Sequence, residues 1–192
     1  MKKRGKETGM KALLVNDVQI DFCPGGALAV PDGDHIVPVI NNLMDHFDLV
    51  LASRDWHPAE SRHFEYWPRH CVRNTEGAEY HGDLNTARID LELFKGTENA
   101  DDGYSAFEAT NMNLLQVLRE HDVNALYVTG IATEYCIRST VLESLKNNIN
   151  TFVIIDAVKG IAADPGDPEK ALAEMARAGA VLITSKAIIN HE

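Results

Sequence analysis

Six short apolar runs recur along the chain with helix-patterned segments between most of them, and this alternation constrains the fold more than any other feature. The runs are "ALLVNDV" (12–18), "LVLAS" (49–53), "IDLELF" (89–94), "ALYVTGI" (125–131), "TFVIID" (151–156) and "AVLIT" (180–184). Each has the length of a strand. The intervening segments "IVPVINNLMDHF" (36–47), "MNLLQVLREH" (112–121), "IRSTVLESLKNN" (137–148) and "PEKALAEMARAG" (168–179) repeat apolar residues three or four positions apart, the period of an amphipathic helix. No two-residue hairpin turn joins consecutive strands, so the pattern predicts an α/β fold: a three-layer α/β/α arrangement whose six-stranded, mostly parallel sheet carries helices on both faces. Sheets of this kind present their functional groups at the carboxyl ends of the strands.

A chain of 192 residues is long enough for one core without staples, and it reads as a single domain over 10–192 preceded by an N-terminal extension, residues 1–9. A formal charge of −11 argues against a nucleic-acid partner, which would need clustered Lys and Arg. Three widely spaced cysteines, Cys23, Cys71 and Cys136, do not make a disulfide framework and suit a reducing, cytoplasmic setting. No stretch approaches the roughly 18 apolar residues of a membrane span. Small molecules remain as the expected partners, and a homo-oligomer stays open. The longest irregular stretch, 58–88, is rich in His, Tyr, Trp and Pro and reads as functional.

The strand ends carry the chemistry. Asp17 ends the first strand in "LLVNDVQIDF"; taken alone it reads as a turn-forming carboxylate. Asp55 and His57 follow the second strand in "ASRDWHP", and on extended backbone residues two apart point the same way. With His70 of "WPRHC" as a third donor they make a divalent-metal site; without it the pair would be unremarkable. Lys95 closes the third strand in "LELFKGT", where it either snorkels to solvent or sits as a cation beside an acid and a thiol. Cys136 follows the fourth strand in "GIATEYCIRST", with Thr133 as the expected N-cap of a helix whose first turn would stabilise a thiolate. Cys23, in the turn "DFCPGG", reads as structural, and Cys71 points away from its neighbour His70.

The motifs "VNDVQIDFCPGGAL", "ASRDWHP", "WPRHCVRNTEGAEYH", "LFKGT", "YSAFE", "GIATEYCIRST" and "DAVKGI" occur in an order and spacing that resembles the isochorismatase-like cysteine hydrolases, and is similar to their nicotinamidase/pyrazinamidase branch, from Met10 to about Thr184. The resemblance implies a catalytic triad of Asp17, Lys95 and Cys136. It implies a divalent metal, zinc ahead of iron or manganese, on Asp55, His57 and His70. It also implies a cis Ile131–Ala132 peptide that lets the amides of Ala132 and Cys136 form an oxyanion hole, and a ring pocket drawn from Phe22, Trp67, Tyr104 and Ile131. Two departures stand out: the segment from His57 to Trp67 is short, and Cys23 replaces a larger apolar residue.

The function expected from this resemblance is hydrolysis of nicotinamide, and of pyrazinamide, to the acid and ammonia through a cysteine thioester, a reaction of NAD salvage. The alternative within the family is an amidohydrolase for an N-carbamoyl or ureido substrate. Vinyl ether hydrolysis of the isochorismatase type would leave the thiol without a task. A nucleotide-binding module finds no "GxGxxG" or phosphate loop in the sequence.

Overall fold

The structure, a computed structural model, describes residues 9–190. The expected N-terminal extension therefore lies outside the described residues except for Gly9. Six strands, β1 (Met10–Asn16), β2 (Leu49–Asp55), β3 (Leu91–Lys95), β4 (Val123–Ile131), β5 (Asn150–Lys159) and β6 (Val181–Ile183), form one sheet in the order β3-β2-β1-β4-β5-β6. Every neighbouring pair is parallel, so "mostly parallel" becomes wholly parallel.

Apolar residues in consecutive positions of the central strands feed two cores, one on each face. Along β1, Leu13 and Val15 enter one core and Ala12 and Leu14 the other, all fully buried. Leu49, Val50, Leu51 and Ala52 divide in the same way. Helix α1 (Val37–Met44) covers the first face with Val37, Ile40, Leu43 and Met44, and the short α5 (Lys186–Ile189) adds Ile188 and Ile189. The second face is covered by α2 (Leu114–Glu120), α3 (Arg138–Lys146) and α4 (Asp167–Ala178), through Leu114 and Leu118, Val141, and Ala171 and Met175. Each fully buried leucine contributes about 1.5–3 kcal/mol, which makes the two-sided sheet the main source of stability.

The differences from the expected boundaries have local causes. β1 stops at Asn16 because Asp17 turns into the left-handed region, φ 51°, with its amide donating to the Ser53 carbonyl at 3.0 Å. Helix α2 starts late because Asn113 caps it, its Oδ1 accepting from the Gln116 amide at 2.9 Å. Asn148 (φ 60°) makes the left-handed turn expected after α3. The expected Thr133 N-cap is not found: Ala132 occupies the capping position, and Thr133–Ile137 is a π-helical turn in which the Ile137 amide reaches back five residues to the Ala132 carbonyl.

From β1 the strand order steps outward through β2 and β3, then returns to place β4 on the other side of β1. This reversal opens a crevice at the carboxyl ends of β1 and β4. Asp17, Asp55, Lys95 and the Cys136 turn all lie at that edge. The 58–88 stretch, which carries only short 3-10 turns such as Arg62–Glu65, supplies its roof.

Candidate active site

Lys95 sits at the centre. Its side chain is fully buried, and Nζ donates to Asp55 Oδ1 at 2.5 Å and to the Gly103 carbonyl at 2.7 Å, while Asp17 Oδ2 lies at 2.9 Å and Cys136 Sγ at 3.5 Å. The sheet register makes this possible, because Asp55 and Lys95 are direct partners across β2 and β3. Lys95 therefore does not snorkel. Burial alone would lower its pKa, but Asp17 and Asp55 outweigh that effect and hold the ammonium well above its ordinary value.

Two carboxylates thus share one cation and divide its effect unequally. Burial opposes ionisation of Asp55, yet Lys95 and then His57 outweigh it and hold Asp55 well below the usual carboxylate range. Burial dominates at Asp17 and raises it, with Lys95 pulling the other way. Asp17 Oδ1 accepts from the Ser53 hydroxyl at 2.8 Å, which leaves Oδ2 toward the ammonium. Asp17 is therefore the member of the pair disposed to take a proton. The Cys136 thiol is pushed well above its ordinary value by burial, against the pull of Lys95. The sequence suggested a thiolate stabilised by a helix start; the structure holds a buried thiol that needs a base.

Asp55 is held from behind by a residue the sequence reading passed over. Its amide donates to Gln19 Oε1 at 2.8 Å, and Gln19 Nε2 donates to the Asp55 carbonyl at 2.8 Å and to the Ala78 carbonyl at 2.9 Å. Gln19 stands two residues after Asp17 in "NDVQIDF", and that spacing was the available signal.

Beside Asp17, Lys95 and Cys136 lies a histidine cluster. His57 Nε2 is 3.7 Å and His70 Nε2 3.9 Å from Asp55 Oδ2. A third imidazole, His63, joins them: His57, His63 and His70 each bring a ring nitrogen within 4.8 Å of the others. The His57 and His63 rings stack with centroids 4.5 Å apart. Every Nδ1 is engaged, that of His57 with the Gly96 carbonyl at 2.9 Å, that of His63 with Asp101 Oδ1 at 2.7 Å and that of His70 with the Pro68 carbonyl at 2.7 Å. Carbonyl and carboxylate oxygens only accept, so each Nδ1 carries a proton and Nε2 is the atom each ring turns toward the cluster. His57 Nε2 is buried with no hydrogen-bond partner among the described residues. Burial holds His70 down at about 4 in spite of Asp55, and burial together with His57 lowers His63, so both rings stay neutral, the form a metal requires. This donor set of imidazoles with one carboxylate fits a divalent transition metal. The other acid-and-thiol group, Asp17, Asp55 and Cys136, already encloses the Lys95 ammonium.

A cavity opens onto both clusters, lined by Asp55, His63, His70 and Cys136, with Phe22, Trp67, Tyr104 and Tyr135 as aromatic walls. Ala132 reaches it as well. Asp17 and Lys95 lie behind Cys136, fully buried. Ile131 departs from expectation. It is fully buried in the α1-side core, in phase with Ala125 and Tyr127 along β4 and with Cδ1 near Gly33, and it does not line the cavity. Cys71 is fully buried outside the histidine cluster, and burial followed by Asp34 raises Cys23 to about 11, as befits core thiols.

A family model described as the isochorismatase domain matches residues 11–187. The chain belongs to the isochorismatase family. Among proteins of this family, the nicotinamidase of Escherichia coli (strain K12) is 39% identical to it, covering 91% of this chain and 94% of that one. The solved pyrazinamidase of Pyrococcus horikoshii in complex with zinc is 43% identical, with a TM-score of 0.83 over 91% of this chain and 99% of that one. An L. infantum protein solved in complex with nicotinate gives a TM-score of 0.87 at 31% identity, over 93% and 94% of the two chains. The cis Ile131–Ala132 peptide expected from the isochorismatase resemblance is present.

Proposed function

We infer that this chain is a nicotinamidase that hydrolyses nicotinamide to nicotinate and ammonia, and accepts pyrazinamide. The observation that carries the reading is the Lys95 ammonium, buried between Asp17 and Asp55 and 3.5 Å from the Cys136 sulfur, directly behind a cavity with aromatic walls. Such a group has no structural need for a thiol, and it supplies what a cysteine amidohydrolase requires: a nucleophile, a base and a fixed positive charge.

In this reaction Asp17 takes the thiol proton as Cys136 Sγ forms a bond to the carboxamide carbon, and Lys95 balances the charge passing between them. The carbonyl electrons move to oxygen, where the amides of Ala132 and Cys136 receive them. Asp17 returns the proton to the departing nitrogen, the C–N bond breaks, ammonia leaves and a thioester remains. A water then gives a proton to Asp17 and its oxygen bonds to the thioester carbon; the C–S bond breaks as Asp17 returns that proton to sulfur, and the acid leaves as nicotinate, its carboxyl proton passing to solvent. Asp55, His57, His63 and His70 would hold a divalent metal, zinc ahead of iron or manganese, which supplies a cationic seat for the ring nitrogen. Phe22, Trp67 and Tyr104 flank a flat ring and favour a heteroaromatic amide over an N-carbamoyl or ureido substrate.

The test is ammonia release from nicotinamide by wild-type protein and by Cys136→Ala. Wild-type turnover with none above background in the variant is the expected result. Retained turnover in Cys136→Ala would refute the nucleophile, and wild-type activity on N-carbamoyl amines alone would refute the substrate.

A further inference from the structure

The three histidines are not anchored alike. His57 and His70 give their Nδ1 protons to backbone carbonyls, of Gly96 and Pro68, whereas His63 gives its proton to a carboxylate, Asp101 Oδ1, at 2.7 Å. The same oxygen accepts from the Tyr104 hydroxyl at 3.0 Å, and the Tyr104 oxygen accepts from Trp67 Nε1 at 3.0 Å. The His63 ring in turn lies nearly parallel to the Trp67 indole, 6.2 Å away with a 20° tilt. One carboxylate oxygen therefore joins a member of the histidine cluster to two walls of the cavity.

We propose that Asp101 is a positioning residue that fixes His63 as a metal ligand through Nε2 and ties that ligand to the Tyr104–Trp67 wall, which sets the gap available to the substrate ring. This rests on the metal-assisted reading above. The physical reasons are separate for the two roles. A carboxylate on Nδ1 locks the tautomer and ring angle of His63 and makes Nε2 the stronger donor. His63 needs this more than His57, because it sits on the 3-10 turn Arg62–Glu65 in a loop, whereas His57 stands two residues past the end of β2. The Tyr104 hydroxyl, by spending its proton on Asp101, is left as the acceptor that holds the indole in place.

The Asp101 side chain is 37% exposed, so its replacement leaves no apolar cavity. The experiment measures the zinc dissociation constant by chelator competition, together with KM and kcat for nicotinamide, in the wild type, Asp101→Ala, Asp101→Asn and Tyr104→Phe. Asp101→Ala is expected to weaken zinc binding about 10- to 100-fold and to raise KM. Asp101→Asn keeps an acceptor oxygen without the charge and recovers part of the zinc affinity. Tyr104→Phe leaves zinc affinity within about threefold of wild type and raises KM, because it removes the bonds from Tyr104 to Asp101 and to the indole but keeps the His63–Asp101 bond. Zinc affinity unchanged in Asp101→Ala, or lowered as much in Tyr104→Phe as in Asp101→Ala, would overturn the proposal. Failure of the wild type to hydrolyse nicotinamide would instead overturn the reading of the reaction, since the zinc titrations decide the role of Asp101 without turnover.

Discussion

Replacing Lys95 with methionine isolates the charge at the centre of the site. Methionine has nearly the length of lysine and fills the same buried space, so little is lost in packing, while two buried carboxylates lose their ammonium. Asp17 is fully buried and the Asp55 side chain is only 7% exposed, so water cannot replace it at either. Removing one partner of such a buried pair costs about 3–5 kcal/mol. For a domain of this size each kcal/mol moves the melting temperature by about 2–4 °C, so Lys95→Met should melt about 6–20 °C below wild type at pH 7. The comparison is made on chelator-treated protein, where no metal offsets the charge, by thermal denaturation followed by circular dichroism. Without the cation the folded-state pKa of the carboxylate pair rises above its unfolded value. The stability the pair then contributes is full below about pH 4 and is lost as pH rises, so the gap to wild type should widen from pH 4 to pH 7. Nicotinamide hydrolysis should fall by at least about 100-fold. A variant that melts within about 2 °C of wild type at pH 7 would show that the carboxylates are not held by the ammonium, and the account of the site would fail with it.

Two further outcomes follow from the same structure. Because burial raises Asp17 and the reaction needs it ionised, kcat/KM should be lost as pH falls through a value above the ordinary carboxylate range of about 4; a pH–rate profile whose acid limb lies below 4 would contradict that. Gly130 has φ 110°, and a Cβ there would lie 2.0 Å from the Asn16 carbonyl oxygen, so Gly130→Ala should destabilise the fold by at least about 2 kcal/mol, read from chemical denaturation midpoints.

How far the sequence was legible depended on whether the signal was local. "ALLVN", "LVLAS" and "ALYVTGI" announce buried strands because both faces are covered, and apolar residues then occupy consecutive positions. Asp55, Lys95 and the Cys136 turn could be placed at one edge because all strands run in one direction. His63 was missed because it lies in an aperiodic loop where a lone histidine carries no pattern, although the crowding of His57, His63 and His70, three of eight histidines, into 57–70 was a usable hint. The π-turn before α3 depends on a bond between Ile137 and Ala132 that no helical period reveals. Ile131 was assigned to the pocket by likeness, whereas its side-chain direction follows from its phase along β4.

The site divides according to the kind of backbone that bears it. Asp17, Asp55 and Lys95 stand at or just past the ends of hydrogen-bonded strands whose register cannot slip without turning two cores inside out. Trp67, Tyr104, His63 and His70 stand on connecting segments with no such constraint. Insertions or exchanges in those segments can reshape the walls of the cavity while the strand-end cluster keeps its dimensions, so a lineage built on this scaffold can alter what enters the crevice and leave the charges behind it untouched.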